Sequence, residues 1–209
     1  MGEVHALETL LQERTVWRGR APVEAPREGT PTGLAQLDAA LPAGGWIVGG
    51  LAELLIPSDG VGELELLWPL LSRHAAEGRT VVLISPPYRP YPPAWHCAGV
   101  GLGAVQVVNV EAREALWAAE QCMRSGACAV VVCWPKASDD RALRRLHIAA
   151  EAGHCHAIAI RPLQAARNPS PAALRIAIEP GMPRQVRVLK CRGANPPVRP
   201  IPFPTALTD

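Results

Sequence analysis

Two hydrophobic periods alternate along this chain, and the switches between them mark its elements. The apolar run Leu51–Ile56 reads as a buried strand. Pro57–Gly62 reads as a glycine-bearing loop, and from Glu63 apolar residues recur at helical spacing as far as Gly78. Further strands are expected at 79–85 (RTVVLIS), 104–110 (AVQVVNV), 127–134 (ACAVVVCW) and 157–160, with helices at 94–98, 111–125 and 139–152 between them. In helix 111–125, Ala115, Ala118, Ala119 and Cys122 point inward. Ser138 or Asp139 is placed to cap helix 139–152, and Gly153 to end it. Strands that are apolar throughout and alternate with helices imply an α/β fold, a mostly parallel sheet flanked by helices on both faces. The pattern changes near the end. Residues 173–179 and 185–191 alternate apolar and polar positions around 180–184, which reads as a β-hairpin.

Upstream, residues 3–17 carry Val4, Leu7, Leu10, Leu11 and Val16 on one helical face, followed by Trp17 and Arg18. That stripe must be buried, either by folding back or on another molecule. The expected organisation is an N-terminal helix (1–20), a Pro/Glu/Gly/Thr-rich linker (21–31), a core (32–192) and a Pro-rich, extended and mobile tail (193–209). Leu34, Leu37 and Leu41 stand at helical spacing, and the paired glycines 44–45 and 49–50 break that helix before the strand at 51. Trp46, Trp68, Trp95, Trp117 and Trp134 are expected in the core. Pro69 is expected to kink its helix unless it falls in the opening turns.

Strand, glycine loop and helix form the layout in which backbone N–H groups and a helix N-terminus cradle phosphate. The phosphate-binding version of that loop needs G-x-x-x-x-G-K-[ST]. With Gly62 on the second glycine, Pro57 stands on the first, Glu63 on the lysine and Leu64 on the Ser/Thr, while Gly60 adds a glycine inside the loop. Pro57 has no N–H to give. Glu63 places negative charge where phosphate would sit, and Leu64 cannot ligate Mg²⁺. The loop alone is equally consistent with a strand–turn–helix unit of an ordinary α/β domain.

Composition narrows the classes. The six cysteines form no CxxC pair and read as reduced thiols, and His154-Cys155-His156 lacks a second ligand pair at zinc spacing, so no metal is expected. No signal peptide is evident and no apolar run is long enough to span a bilayer, which favours a cytoplasmic protein without membrane contact. Net charge is +2, divided as −4 over residues 1–160 and +6 over 161–209. The basic end suits either a weak contact with DNA or an acidic partner, or a solubilising tail. Tyr88, Arg89 and Tyr91 lie in a stiff proline loop (PPYRPYPP) at the carboxyl end of a strand, where doubly wound sheets place their sites.

The order TGLAQLDAALPAGGWIVGGLAELLIP, ISPPYRPYPPAW, SGACAVVVCWPKAS and QVRVLKCRG resembles the RecA-like P-loop NTPase core over about residues 32–192. Gly60-Val61-Gly62-Glu63-Leu64, the PPYRPY loop, Val16-Trp17-Arg18-Gly19 and the segment Val186–Gly193 are similar to the ImuA family, RecA/SulA-like accessory proteins of SOS mutagenesis. The resemblance implies a non-catalytic adaptor in translesion DNA synthesis. Its implied partners are an ImuB-like inactive Y-family polymerase, an error-prone polymerase complex and RecA. It implies no catalytic residues and no cofactor, because each catalytic station departs from the family. The loop lacks Lys and Ser/Thr. Pro86-Pro87 follow Ser85 where the water-activating glutamate belongs, and Cys133-Trp134 stand where the Walker B aspartate would hold Mg²⁺. Lys190 and Arg192 match basic hairpin positions that reach nucleotide across a subunit interface, and Trp17 and Arg18 match a segment that packs on a neighbour. With Tyr88, Arg89 and Tyr91 they are the candidate partner-binding residues. Two rival readings follow from the same likeness: a SulA-type division inhibitor that binds FtsZ, and a working nucleotide-dependent ATPase.

Overall fold

The computed structural model describes residues 29–135 and 138–203. The expected N-terminal helix and nearly all of the linker, with Trp17 and Arg18, lie outside them. The described chain is a mixed α/β structure built on one eight-stranded, mostly parallel sheet. Its elements in order are β1 (Gly29–Thr30), α1 (Ala35–Ala40), β2 (Trp46–Ile47), β3 (Gly50–Ile56), α2 (Glu63–Ala76), β4 (Thr80–Ile84), α3 (Pro92–Cys97), β5 (Val105–Val108), α4 (Ala112–Arg124), β6 (Cys128–Cys133), α5 (Asp140–Gly153), β7 (His156–Pro162), β8 (Leu174–Glu179), β9 (Arg184–Cys191) and β10 (Ile201–Phe203). The sheet order is β10-β9-β8-β3-β7-β6-β4-β5. All pairings from β8 to β5 are parallel, and the last two strands run antiparallel.

Period-two orientation divides β3 between the two faces. Ala52, Leu54 and Ile56 pack with Leu37 of α1, Leu66, Leu67, Leu70 and Leu71 of α2, and Trp95 of α3. On the other face, Leu51 packs with Ala118, Ala119 and Met123 of α4 and Leu143, Leu146 and Ala150 of α5. The four α2 leucines are each at most 1% exposed, and burial of such a side chain contributes about 1.5–3 kcal/mol. Helix α2 runs unbroken through Pro69, because its packed apolar face outweighs the one backbone bond the proline removes. Asp139 caps α5, its Oδ1 accepting from Ala142 N at 2.7 Å.

Several expectations are corrected. The Pro-rich tail is not wholly extended and mobile: β10 pairs with β9 and buries Ile201 and Phe203. Thr30, in the expected linker, pairs with Trp46 and bonds His156 Nε2 at 3.1 Å. Trp46 and Trp95 are core residues and Trp68 and Trp134 are half-buried, but Trp117 is 61% exposed on the outer side of α4. Gly153 is the last residue of α5, not its cap. His154 takes the left-handed cap conformation instead, and Gly153 lets α5 approach α4, since a Cβ there would come 1.8 Å from Met123 O.

Candidate functional site at the carboxyl ends of the strands

Because β3, β4 and β6 are parallel, their carboxyl ends lie at one edge of the sheet. The fold therefore brings the three segments singled out in the sequence to the same end. The loop after β3 turns through Gly60 (φ 79) and Gly62 (φ 96), both left-handed, and Gly62 is the N-cap of α2. An N-cap glycine has no side chain to offer the helix. Glu63, the first helical residue, turns its side chain back to the loop instead: Gly60 N donates to Glu63 Oε1 at 3.0 Å. The carboxylate is buried, with the residue 7% exposed, and lies in the first turn of α2, where the helix dipole favours an anion. A negative side chain thus sits in the loop at the position where phosphate chemistry calls for a lysine.

A residue the sequence reading missed closes over this loop. Arg184, at the start of β9, donates to Val61 O at 2.7 Å and pairs with Glu65 Oε2 at 2.6 Å. Its guanidinium lies 4.7 Å from the Phe203 ring centroid, a cation–π contact with β10. Gly62 must be glycine beneath it, since a Cβ would come 1.9 Å from Arg184 Nη1. The only hint in the sequence was a basic residue opening the hairpin's second strand.

At the end of β4, Ser85 adopts φ 47, unusual for a residue with a side chain. Its hydroxyl donates to Val110 O at 3.1 Å and accepts from Val110 N at 3.3 Å, fastening the β4 end to the segment after β5. In the chain, Pro86 and Pro87 follow Ser85 directly. At the end of β6, Cys133 is buried, and burial pushes its thiol up to about 12, far from the thiolate a metal requires. Among the described residues, no group of three or more His, Cys, Asp or Glu could hold a metal ion.

Tyr88, Arg89 and Tyr91 share the loop between β4 and α3. Tyr88 is 70% and Tyr91 68% exposed. Tyr88 and Arg89 line an open groove of about 350 Å³ whose floor includes Val105 and Val107 of β5, the edge strand. Lys190 and Arg192 do not join them or the loop. They lie toward the amino-end side of β3, across the sheet from β4. Lys190 is half-buried opposite Arg175 and donates to Ser170 O at 2.8 Å, while Arg192 is exposed. Burial, with the charges of Arg192 and Arg175, lowers the Lys190 pKa.

The basic end is largely committed inside the molecule. Of its eight cations, Arg161 and Arg175 pair with Glu53, Arg184 with Glu65 and Arg187 with Glu179, and Lys190 bonds a carbonyl. Arg167, Arg192 and Arg199 are left at the surface.

No family model matches the sequence, and no curated protein matches it. Among solved structures, the chain is similar to SulA from Pseudomonas aeruginosa, at 25% sequence identity over 53% of this chain and 97% of that one, with a TM-score of 0.45. No described helix is long and apolar enough to cross a membrane.

Proposed function

We propose that this chain is a RecA-like domain without ATPase activity that serves as an adaptor in SOS-induced translesion synthesis. It works through contacts with an ImuB-like inactive Y-family polymerase, an error-prone polymerase complex and RecA. The observation that carries the reading is the Glu63 carboxylate bonded by Gly60 N–H inside the loop. A triphosphate entering there would meet a buried negative charge in place of a lysine, and would have to displace Arg184 and Phe203 as well. Phosphoryl transfer depends on positioning and charge neutralisation, and the carboxyl ends of β4 and β6 present Ser85, the prolines and Cys133 in place of a base and a metal carboxylate. The parallel strand order gives further support, because it gathers all three degenerate stations at one end.

The contact surface in this reading is the groove beside β5. Exposed tyrosines and an arginine on a proline-stiffened loop are the residue types that dominate protein interfaces, and the loop has little conformational entropy to lose on binding. The test is capture of the ImuB-like polymerase by immobilised full-length chain in nucleotide-free buffer, for the wild type and the Tyr88→Ser/Tyr91→Ser double variant. Both side chains are exposed, so melting should shift by no more than about 0.5 kcal/mol equivalent. Wild type should retain the partner and the double variant should retain several-fold less. Equal retention would place the contact elsewhere, and no retention by wild type would overturn the adaptor reading.

A further inference from the structure

Three of the six cysteines converge on the short turn between α4 and β6. Cys122 lies in the last turn of α4 and Cys128 opens β6, and both are half-buried. Ser125 links them. Its hydroxyl donates to Cys122 O at 2.8 Å and accepts from Ala127 N at 3.1 Å. With its hydrogen so committed, it accepts from the Cys128 thiol, Oγ standing 3.9 Å from Sγ. The two thiols also interact with each other: burial first, then the charge and hydrogen bond of Cys128, push the Cys122 thiol up. Cys155 completes the group from the buried side, at 0% exposed, its Sγ donating to Met123 O at 3.7 Å.

The remaining thiols differ in kind. Burial pushes Cys133 and Cys155 up to about 12, so neither offers thiolate near neutral pH. Cys191 is buried, and Cys97 is exposed on α3, against the other face of the sheet. Cys122 and Cys128 combine access from solvent with a neighbouring thiol. The turn that joins them can adjust: residues 125–127 are exposed, and the left-handed Gly126 has open space about it.

We propose that Cys122 and Cys128 form a redox modification site, which a small hydroperoxide oxidises to an intramolecular disulfide tying the end of α4 to the start of β6. The Cys128 sulfur attacks a peroxide oxygen and the O–O bond breaks. The departing hydroxide takes up the thiol proton as water, leaving a sulfenic acid on Cys128. The Cys122 sulfur then displaces that hydroxyl, which leaves as water with the Cys122 proton. Two thiols and one hydrogen peroxide become one disulfide and two waters, and a dithiol reductant reverses the change. Rotation of the two side chains and a shift of the exposed turn bring the sulfurs to bonding distance. The proposal stands apart from the adaptor reading, because partner capture does not measure thiol state.

The test treats the full chain in native buffer with a few-fold excess of hydrogen peroxide, as wild type, Cys122→Ser and Cys128→Ser. Remaining thiols are then blocked with N-ethylmaleimide in denaturant, and the monomer is digested with trypsin without reduction. Mass spectrometry of wild type should show the peptides Glu114–Arg124 and Ser125–Lys136 joined. Dithiothreitol should part them, and Cys155 should keep its maleimide. Neither serine variant should give the joined pair, and dimedone should label Cys128 in Cys122→Ser. If a serine variant fails to fold, fragmentation of the joined wild-type peptides decides between Cys128 and Cys133. A joined pair through Cys133 or Cys155, or no joined pair at peroxide levels that already oxidise Cys97, would overturn the proposal.

Discussion

Glu53 is the residue on which the centre of the sheet depends. It is 0% exposed in β3 and lies between Arg161 of β7 and Arg175 of β8. Arg161 pairs with Oε1, and Arg175 Nε lies 2.7 Å from Oε2, an ion pair rather than an aligned hydrogen bond. The remaining guanidinium donors reach Ser138 O at 3.1 Å, Asn168 O at 3.1 Å and Ala165 O at 2.8 Å, which fixes the segments that follow β6 and β7. Glu53→Ala would leave two buried guanidiniums without a counter-charge, so it should cost about 3–5 kcal/mol in urea unfolding. A loss below about 1 kcal/mol would contradict this account. His156 gives the residue-scale pH dependence. Burial first, then the neighbouring His74 and Arg79, pushes its pKa down to about 3, against the pull of its bond to Ile47 O. The unfolded chain takes up this proton below about 6.5 and the folded chain does not. The contribution is therefore complete above pH 6.5 and is lost as pH falls toward 3, at about 1.4 kcal/mol per unit. Denaturation of wild type and His156→Gln at about pH 7 and about pH 5 should show the steeper loss in wild type, and parallel losses would contradict the assignment. None of these roles was read from the sequence, although a signal was present. Glu53, Arg161 and Arg175 each interrupt or end an apolar strand, and opposite charges in buried neighbouring strands have to meet.

At the scale of elements, long periodic segments were legible and short ones were not. α2, α4, α5 and the parallel strands fall within a residue or two of their expected bounds, because each has enough apolar positions to set a period. β10 was hidden by its composition. Ile-Pro-Phe in a proline-rich tail offers no ladder signal, yet an edge strand tolerates Pro202 while Ile201 and Phe203 turn inward. A chain truncated after Ala194 loses those two buried side chains and the Phe203–Arg184 contact, so it should melt well below full length, by a few kcal/mol at about 1.5–3 per side chain. Unchanged melting would return the segment to the status of a mobile tail. Arg184 was missed for a related reason. Its targets are the loop after β3 and the first turn of α2, 119 to 123 residues earlier in the chain, and only the hairpin's position at the same end of the sheet brings them together.

For the whole molecule, the alternation of helices with largely apolar strands was enough to give a mostly parallel sheet covered on both faces, because only that arrangement buries such strands. The distribution of charge was not readable in the same way. A +6 terminal segment suggested an anionic partner, but five of its eight cations face partners within the fold. A steep salt-dependent affinity for DNA is therefore not expected of this end. The central proposal concerns the loop at residues 57–63, read as a phosphate cradle filled by the chain's own Glu63 carboxylate. Isothermal titration of the full chain with Mg-ATP, with phosphate release followed in the same sample, tests this most directly. The account predicts no heat of binding and no release, whereas micromolar binding with steady phosphate release would contradict it.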